Sequence, residues 1–150
     1  MKIAICASLS FTDQVAKVAK ELENIGFAVE IPISSRKILK GQVTLADIDK
    51  LKKQDTAFSE YIIQNDSIRA YWEIIKGSDA ILVLNFTKNG VKNYVGPNVF
   101  LEIGFAHVLG KPIFLYNNLP DGQFTAEILS MQPIVINKNL ARIKNFEREG

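Results

Sequence analysis

Residues 2–7 read Lys-Ile-Ala-Ile-Cys-Ala, and residues 79–86 read Asp-Ala-Ile-Leu-Val-Leu-Asn-Phe. Neither run alternates apolar with polar side chains. A strand of that kind has no face for water, so both of its faces must be covered. Two such runs, separated by helix-periodic sequence, confine the chain to a parallel sheet with helices packed on either side. Between them Val15, Val18, Ala19, Leu22 and Ile25 recur at helical spacing, and Gly26 supplies a stop. Ser10 stands ahead of that helix with Asp13 three residues on, a variant of the capping box. Residues 27–31 read as a second strand closed by Pro32, residues 111–116 and 132–136 as two more, and the tail from Asn139 as a helix. The expectation is one α/β domain over residues 1–150. It is a Rossmann-like or flavodoxin-like parallel sheet of about five strands with helices on both faces.

The middle of the chain is different. Residues 34–53 are polar and mildly basic, with Arg36, Lys37, Lys40, Lys50, Lys52 and Lys53 against Asp47 and Asp49. They read as a surface excursion with a short helix after Thr44. The excursion is either a solvated connector or a lid over a ligand site, since long loops in compact domains are often functional. A long helix is expected next, with Phe58, Tyr61, Ile62, Asn65, Ile68, Trp72 and Ile75 along one face and Gly77 at its end.

Composition narrows the function. A net charge of +2 gives no basic stripe, so no nucleic-acid polymer is expected as a partner. The one cysteine, Cys6, excludes an internal disulfide and a cysteine-based zinc site, and within its apolar run it reads as a buried, inert thiol. No apolar run reaches the length of a membrane span, and the first residues turn polar too soon for a signal peptide. A cytoplasmic location is the expectation. The single histidine and the scattered acids show no ligand spacing, so neither a metal nor a cofactor is expected.

Ligands of open parallel sheets bind beyond the carboxyl ends of the strands, where strand order reverses. That rule selects residues 7–11, 85–98 and 117–124, and with them Ser8, Ser10, Phe11, Asn85, Gly96 and Asn98. Free N–H groups at a helix start, with the Ser8 and Ser10 hydroxyls, suit an anion such as phosphate. Capping by Ser10 would use the same groups. The helix opening after Gly96 has Pro97 at its first position, where a missing donor costs nothing. Val99, Phe100, Leu101, Ile103, Phe105, Ala106, Val108 and Leu109 make it apolar nearly all round, which predicts burial on most sides. Only Glu102 and His107 interrupt it. A carboxylate there is costly unless it is paired, hydrogen-bonded or facing a wet cleft. The helix dipole favours its ionised form weakly at that depth. Glu102 is therefore either a nucleophile or ligand anchor, or a carboxylate satisfied by a neighbouring hydroxyl or amide. His107 lies roughly 140° further round the helix and reads as a packing or interface residue.

The run GPNVFLEIGFAHVLGKPI, residues 96–113, resembles the nucleoside 2-deoxyribosyltransferase family, whose superfamily also contains the 2'-deoxynucleoside 5'-monophosphate N-glycosidases. Glu102, Ile103, Gly104, Ala106, Gly110 and Lys111 match the family's Glu-hydrophobic-Gly helix and the Gly-Lys turn that follows it. The opening IAICASLSF and the strand SDAILVLNF match its layout. The resemblance implies a small-molecule nucleoside or nucleotide substrate and Glu102 as the nucleophile. The glutamate attacks the anomeric carbon of a deoxyribose, the base leaves, and a second base or water resolves the ester. Ser8, Ser10, Gly96 and Asn98 would lie near the sugar or its 5' substituent. Two positions depart from the pattern. The aspartate that assists the leaving base stands eight residues before the Asp opening the central strand, and here that position is Tyr71. The nearest alternative, Asp66, sits roughly 140° off that face of a helix. Both are carried as candidates for that role. The monophosphate branch favours a serine where this chain has Gly96, which points away from a 5'-phosphate. A non-catalytic nucleoside- or nucleotide-binding module of the same fold is the alternative reading. The apolar helix and the Trp72 face would suit a homodimer or higher homo-oligomer.

Overall fold

The apolar runs pair side by side. In the computed structural model, which describes residues 1–149, five strands form one parallel sheet: β1 (Lys2–Ala7), β2 (Ala28–Glu30), β3 (Ala80–Leu84), β4 (Ile113–Leu115) and β5 (Ile134–Val135). Their order is β2-β1-β3-β4-β5, the flavodoxin-like order of doubly wound sheets. The two runs without alternation are the central pair, in register from Ile3 opposite Ala80 to Ala7 opposite Leu84. Eight helices among the described residues cover the sheet: α1 (Thr12–Asn24), α2 (Ile33–Leu39), α3 (Leu45–Lys52), α4 (Asp55–Asn65), α5 (Ser67–Lys76), α6 (Pro97–Val108), α7 (Thr125–Ser130) and α8 (Ala141–Glu149). Ile3, Ile5, Leu82 and Leu84 pack against Val15, Val18 and Leu22 of α1 and Ile143 of α8. Ala4, Cys6, Ile81 and Val83 pack the other way, against Tyr71 and Ile75 of α5 and Val99, Ile103 and Ala106 of α6. This double coverage is why those strands show no polar face.

Several local expectations are corrected. Ser10 does not cap α1: Leu9–Phe11 form a 3-10 turn closed by the Phe11 N–H on the Ser8 carbonyl at 2.9 Å. The helix then begins at Thr12, whose hydroxyl donates to the Leu9 carbonyl at 2.7 Å, and Ser10 is left exposed within the turn. The excursion over residues 34–53 is largely helical, because Pro32 starts α2 rather than closing the sheet edge into a loop. The helix after Thr44 is present and carries a full capping box, Asp47 N–H to Thr44 Oγ1 at 3.1 Å and Thr44 N–H to Asp47 Oδ2 at 3.0 Å. The long helix is two helices, α4 and α5, separated by Asp66 in the left-handed region at φ 42°. α7 was not anticipated. Strands β4 and β5 are shorter than their apolar runs, since Pro112 and Pro133 bring no N–H to the ladder. α6 is covered on most of its circumference, Val99, Ile103 and Ala106 facing the sheet and Phe100, Phe105 and Leu109 partly buried on its flanks. It leaves an apolar stripe outside, with Leu101 44% and Val108 85% exposed. Among the described residues no helix is long and apolar enough to cross a membrane.

Candidate active site

Strand order reverses between β1 and β3. The chain leaves β1 for β2 on one side and leaves β3 for β4 on the other, so the two outgoing loops part and open a crevice. A cavity of about 390 Å³ lies there, large enough for a small organic ligand. Ala7 and Ser8 line it from the end of β1, Lys88 and Tyr94 from the loop after β3, and Gly96, Asn98 and Glu102 from the start of α6. Tyr71 of α5 reaches it from the sheet side. Lys52 of α3 and Phe58 and Tyr61 of α4 complete the lining.

Glu102 is the anomaly in this lining. Its Oε2 is sealed from solvent and has no hydrogen-bond partner among the described residues. Burial pushes the carboxyl up to about 8, and the Cys6 thiol beside it opposes that by less. Desolvation thus outweighs the helix dipole that was expected to keep the group ionised. Cys6 is itself raised well above the usual thiol range, first by burial and then by Glu102. Tyr71 lies close by, its phenol raised well above its ordinary range by burial, with Cys6 and Glu102 adding to the effect. The Tyr71 hydroxyl donates to the Ile5 carbonyl, so its one proton is committed to the strand.

On the other side of the cavity the backbone makes a tight hairpin. Lys88 and Val91 exchange N–H to carbonyl bonds of 3.0 and 2.9 Å around Asn89 and Gly90, whose φ angles are 49° and 78°. Two successive positive φ values are the primed turn that Asn-Gly favours. The turn fixes Lys88, whose Nζ donates to Ser8 Oγ at 3.0 Å and lies 5.0 Å from the centre of the Tyr94 ring. Burial lowers the Lys88 ammonium; Lys52 lowers it further and Asp49 acts in the opposite direction. The Tyr94 ring lies against Gly96, where a Cβ would meet the phenol oxygen at 3.1 Å.

The structure brings Ser8, Tyr71, Gly96, Asn98 and Glu102 together around the cavity. It does not bring Ser10, Phe11, Asn85 or Asp66 there. Phe11 is buried on the α1 side of the sheet, edge-on to Phe86 at 5.5 Å between ring centres. Asn85 is buried and structural: its Nδ2 donates to the Asn118 carbonyl at 2.7 Å and its Oδ1 accepts the Asn117 N–H at 2.9 Å, tying the end of β3 to the loop after β4. Asp66 pairs with Arg69 at 3.0 Å on the surface. His107 is exposed, as its angular offset from Glu102 requires. Sequence reasoning missed Lys88 and Tyr94, although Asn89-Gly90 was a legible turn signal beside them.

No protein-family profile matches the chain, and no curated protein matches it. Two solved structures are similar to it. One is a 2-deoxyribosyltransferase from the psychrotolerant bacterium Bacillus psychrosaccharolyticus, 21% identical over 77% of this chain and 71% of that one, with a TM-score of 0.46. The other is a CMP N-glycosidase from Clostridium botulinum, 14% identical over 99% of both chains, with a TM-score of 0.47.

Proposed function

We propose that this chain cleaves the N-glycosidic bond of a deoxynucleoside or deoxynucleoside monophosphate, with Glu102 as the nucleophile. One observation carries the reading: Glu102, with one carboxyl oxygen sealed from solvent and without a hydrogen-bond partner among the described residues, lines the cavity where strand order reverses. An unrelieved buried acid is a cost to folding, and such groups cluster where chemistry needs them. The resemblance of residues 96–113 to the deoxyribosyltransferase family supports the same residue.

In the first step an ionised Glu102 oxygen attacks the anomeric carbon. The bond from that carbon to the base nitrogen breaks, and its electron pair departs with the base. Water or a second base then attacks the same carbon, breaks the ester and restores the carboxylate. Two displacements retain configuration. Glu102 is the only carboxyl among the described residues lining the cavity, and the Tyr71 proton is held by Ile5. A positioned general acid contributes roughly 10²–10⁴-fold. Bases that depart without protonation are accordingly the faster substrates.

Incubation with deoxynucleosides and their monophosphates, with and without a second free base, tests the reading. Base release or exchange is expected, with a loss of at least roughly 10³-fold in Glu102→Ala. Absence of turnover, or equal turnover by Glu102→Ala, overturns it. The missing leaving-base acid favours a second reading, a binding module of the same fold; tight nucleoside binding without turnover is its signature. The exposed Leu101 and Val108 on α6 support a homo-oligomer in which a second copy covers that stripe. A monomer by light scattering removes that part of the proposal.

A further inference from the structure

The cavity gathers cations without anions to match. Lys52 and Lys88 both line it, and its single carboxyl, Glu102, is held largely uncharged by burial. No carboxylate lies within ion-pair distance of Lys88 among the described residues. A half-buried ammonium whose one opposing charge, Asp49, lies beyond ion-pair distance is costly unless something else supplies negative charge. The position of Lys88 is nonetheless built with care: an Asn-Gly hairpin sets its backbone, Ser8 accepts one of its protons, and the Tyr94 ring lies against its charge. Because Ser8 Oγ accepts from Lys88, its own hydroxyl proton remains free to donate. The uncapped first turn of α6, at Asn98 and Val99, faces the same cavity. Along α6, Asn98 and Glu102 are separated by roughly 6 Å of rise, the reach of a pentose from its anomeric carbon to its 5' substituent.

We infer that Lys88, braced by Ser8 and Tyr94, recognises a phosphate monoester, so that the cavity takes deoxynucleoside monophosphates in preference to unphosphorylated nucleosides. The inference rests on reading the cavity as a nucleoside site. It also explains Gly96. A serine there would bring a Cβ to 3.1 Å from the Tyr94 phenol oxygen, so the ring that supports Lys88 would have to shift to admit it. The side-chain contact that a serine would add at the helix start is supplied instead by Lys88 on the hairpin, so Gly96 no longer argues against a 5'-phosphate.

Calorimetric titration of the Glu102→Gln protein tests this without turnover. The ligands are a deoxynucleoside, its 5'-monophosphate and inorganic phosphate. The monophosphate is expected to bind roughly 10–100-fold more tightly than the nucleoside, the scale of a charge-assisted contact. Inorganic phosphate is expected to compete with it, and added salt to reduce the difference. Adding Lys88→Met is expected to weaken the monophosphate by far more than the nucleoside and so to erase the preference, while Lys88→Arg keeps most of it. The inference is overturned if the monophosphate binds no more tightly than the nucleoside, if the preference survives Lys88→Met, or if that variant weakens both ligands equally. Turnover of the wild-type protein is read separately. A monophosphate preference in binding with no base release keeps the anion site and removes the glycosidic reading. Base release with no preference does the reverse.

Discussion

Glu102 is a single carboxyl whose environment makes two measurable demands. In the proposed reaction only its ionised form attacks carbon, and burial holds its titration at about 8. The kcat/KM for base release is therefore expected to rise about tenfold per pH unit below that value and to level above it. The groups facing it, Cys6 from β1 and Tyr71 from α5, are both raised and stay protonated through this range. Lys88 is lowered, so phosphorylated substrates alone gain an alkaline limb as its ammonium is lost. A profile flat from pH 5 to 7 by steady-state assay contradicts the assignment. The same shift is a stability statement. The folded protein holds a proton that the unfolded chain releases near its ordinary value of 4.5. The stabilising contribution is complete below that pH and is lost as pH rises to about 8. Glu102→Gln removes the titration. It is expected to melt close to wild type at pH 4.5 and to be the more stable protein at pH 9, by up to about 5 kcal/mol. Equal wild-type and variant melting differences at both pH values count against it. Glu102 was legible because a carboxylate on an apolar helix is conspicuous. Lys88 was not, since a lysine in a polar loop looks like any solvated lysine until the fold shows which cavity it enters.

At the scale of elements, the break between α4 and α5 is the clearest case of a pattern that hides a discontinuity. Positions 58, 61, 62, 65, 68, 72 and 75 keep helical spacing straight through Asp66. Periodicity records which faces are apolar and carries no sign of one residue in the left-handed region. The break sends Phe58 and Tyr61 to the cavity, while Tyr71 and Ile75 enter the core. Asp66 thereby becomes a helix-ending residue paired with Arg69 and lies outside the cavity lining. Asparagine also tolerates the left-handed region, so Asp66→Asn should leave kcat/KM within about twofold. Asp66→Val should cost about 1–2 kcal/mol by urea denaturation, with the activity of the folded fraction retained. A hundredfold loss in Asp66→Asn would restore Asp66 to the chemistry. α6 shows the opposite limit: its apolar residues ran nearly all round, but one helix can turn only one side to the sheet, and Leu101 and Val108 were left outside.

At the scale of the whole molecule, the α/β class and the five-strand sheet were legible because the central runs lack a polar face. Strand order is what turned that class into a site, since β1 beside β3 opens the crevice. Of the three loops selected from sequence, the first two line the cavity. The third, after β4, is tied down by Asn85 instead. The polar excursion, read as connector or lid, contributes Ile48 and Lys52 to the cavity through α3. Neither a helix on the far side of a cavity nor a hairpin lysine has a sequence period of its own; both depend on long-range packing. The most direct test of the whole reading is acid quenching of wild-type protein during incubation with a deoxynucleoside monophosphate carrying an easily departing base, followed by peptide mapping in a mass spectrometer. The expected result is a deoxyribosyl phosphate adduct on Glu102, absent from the Glu102→Gln protein. An adduct on another residue, or base release at the wild-type rate by Glu102→Gln, would contradict it.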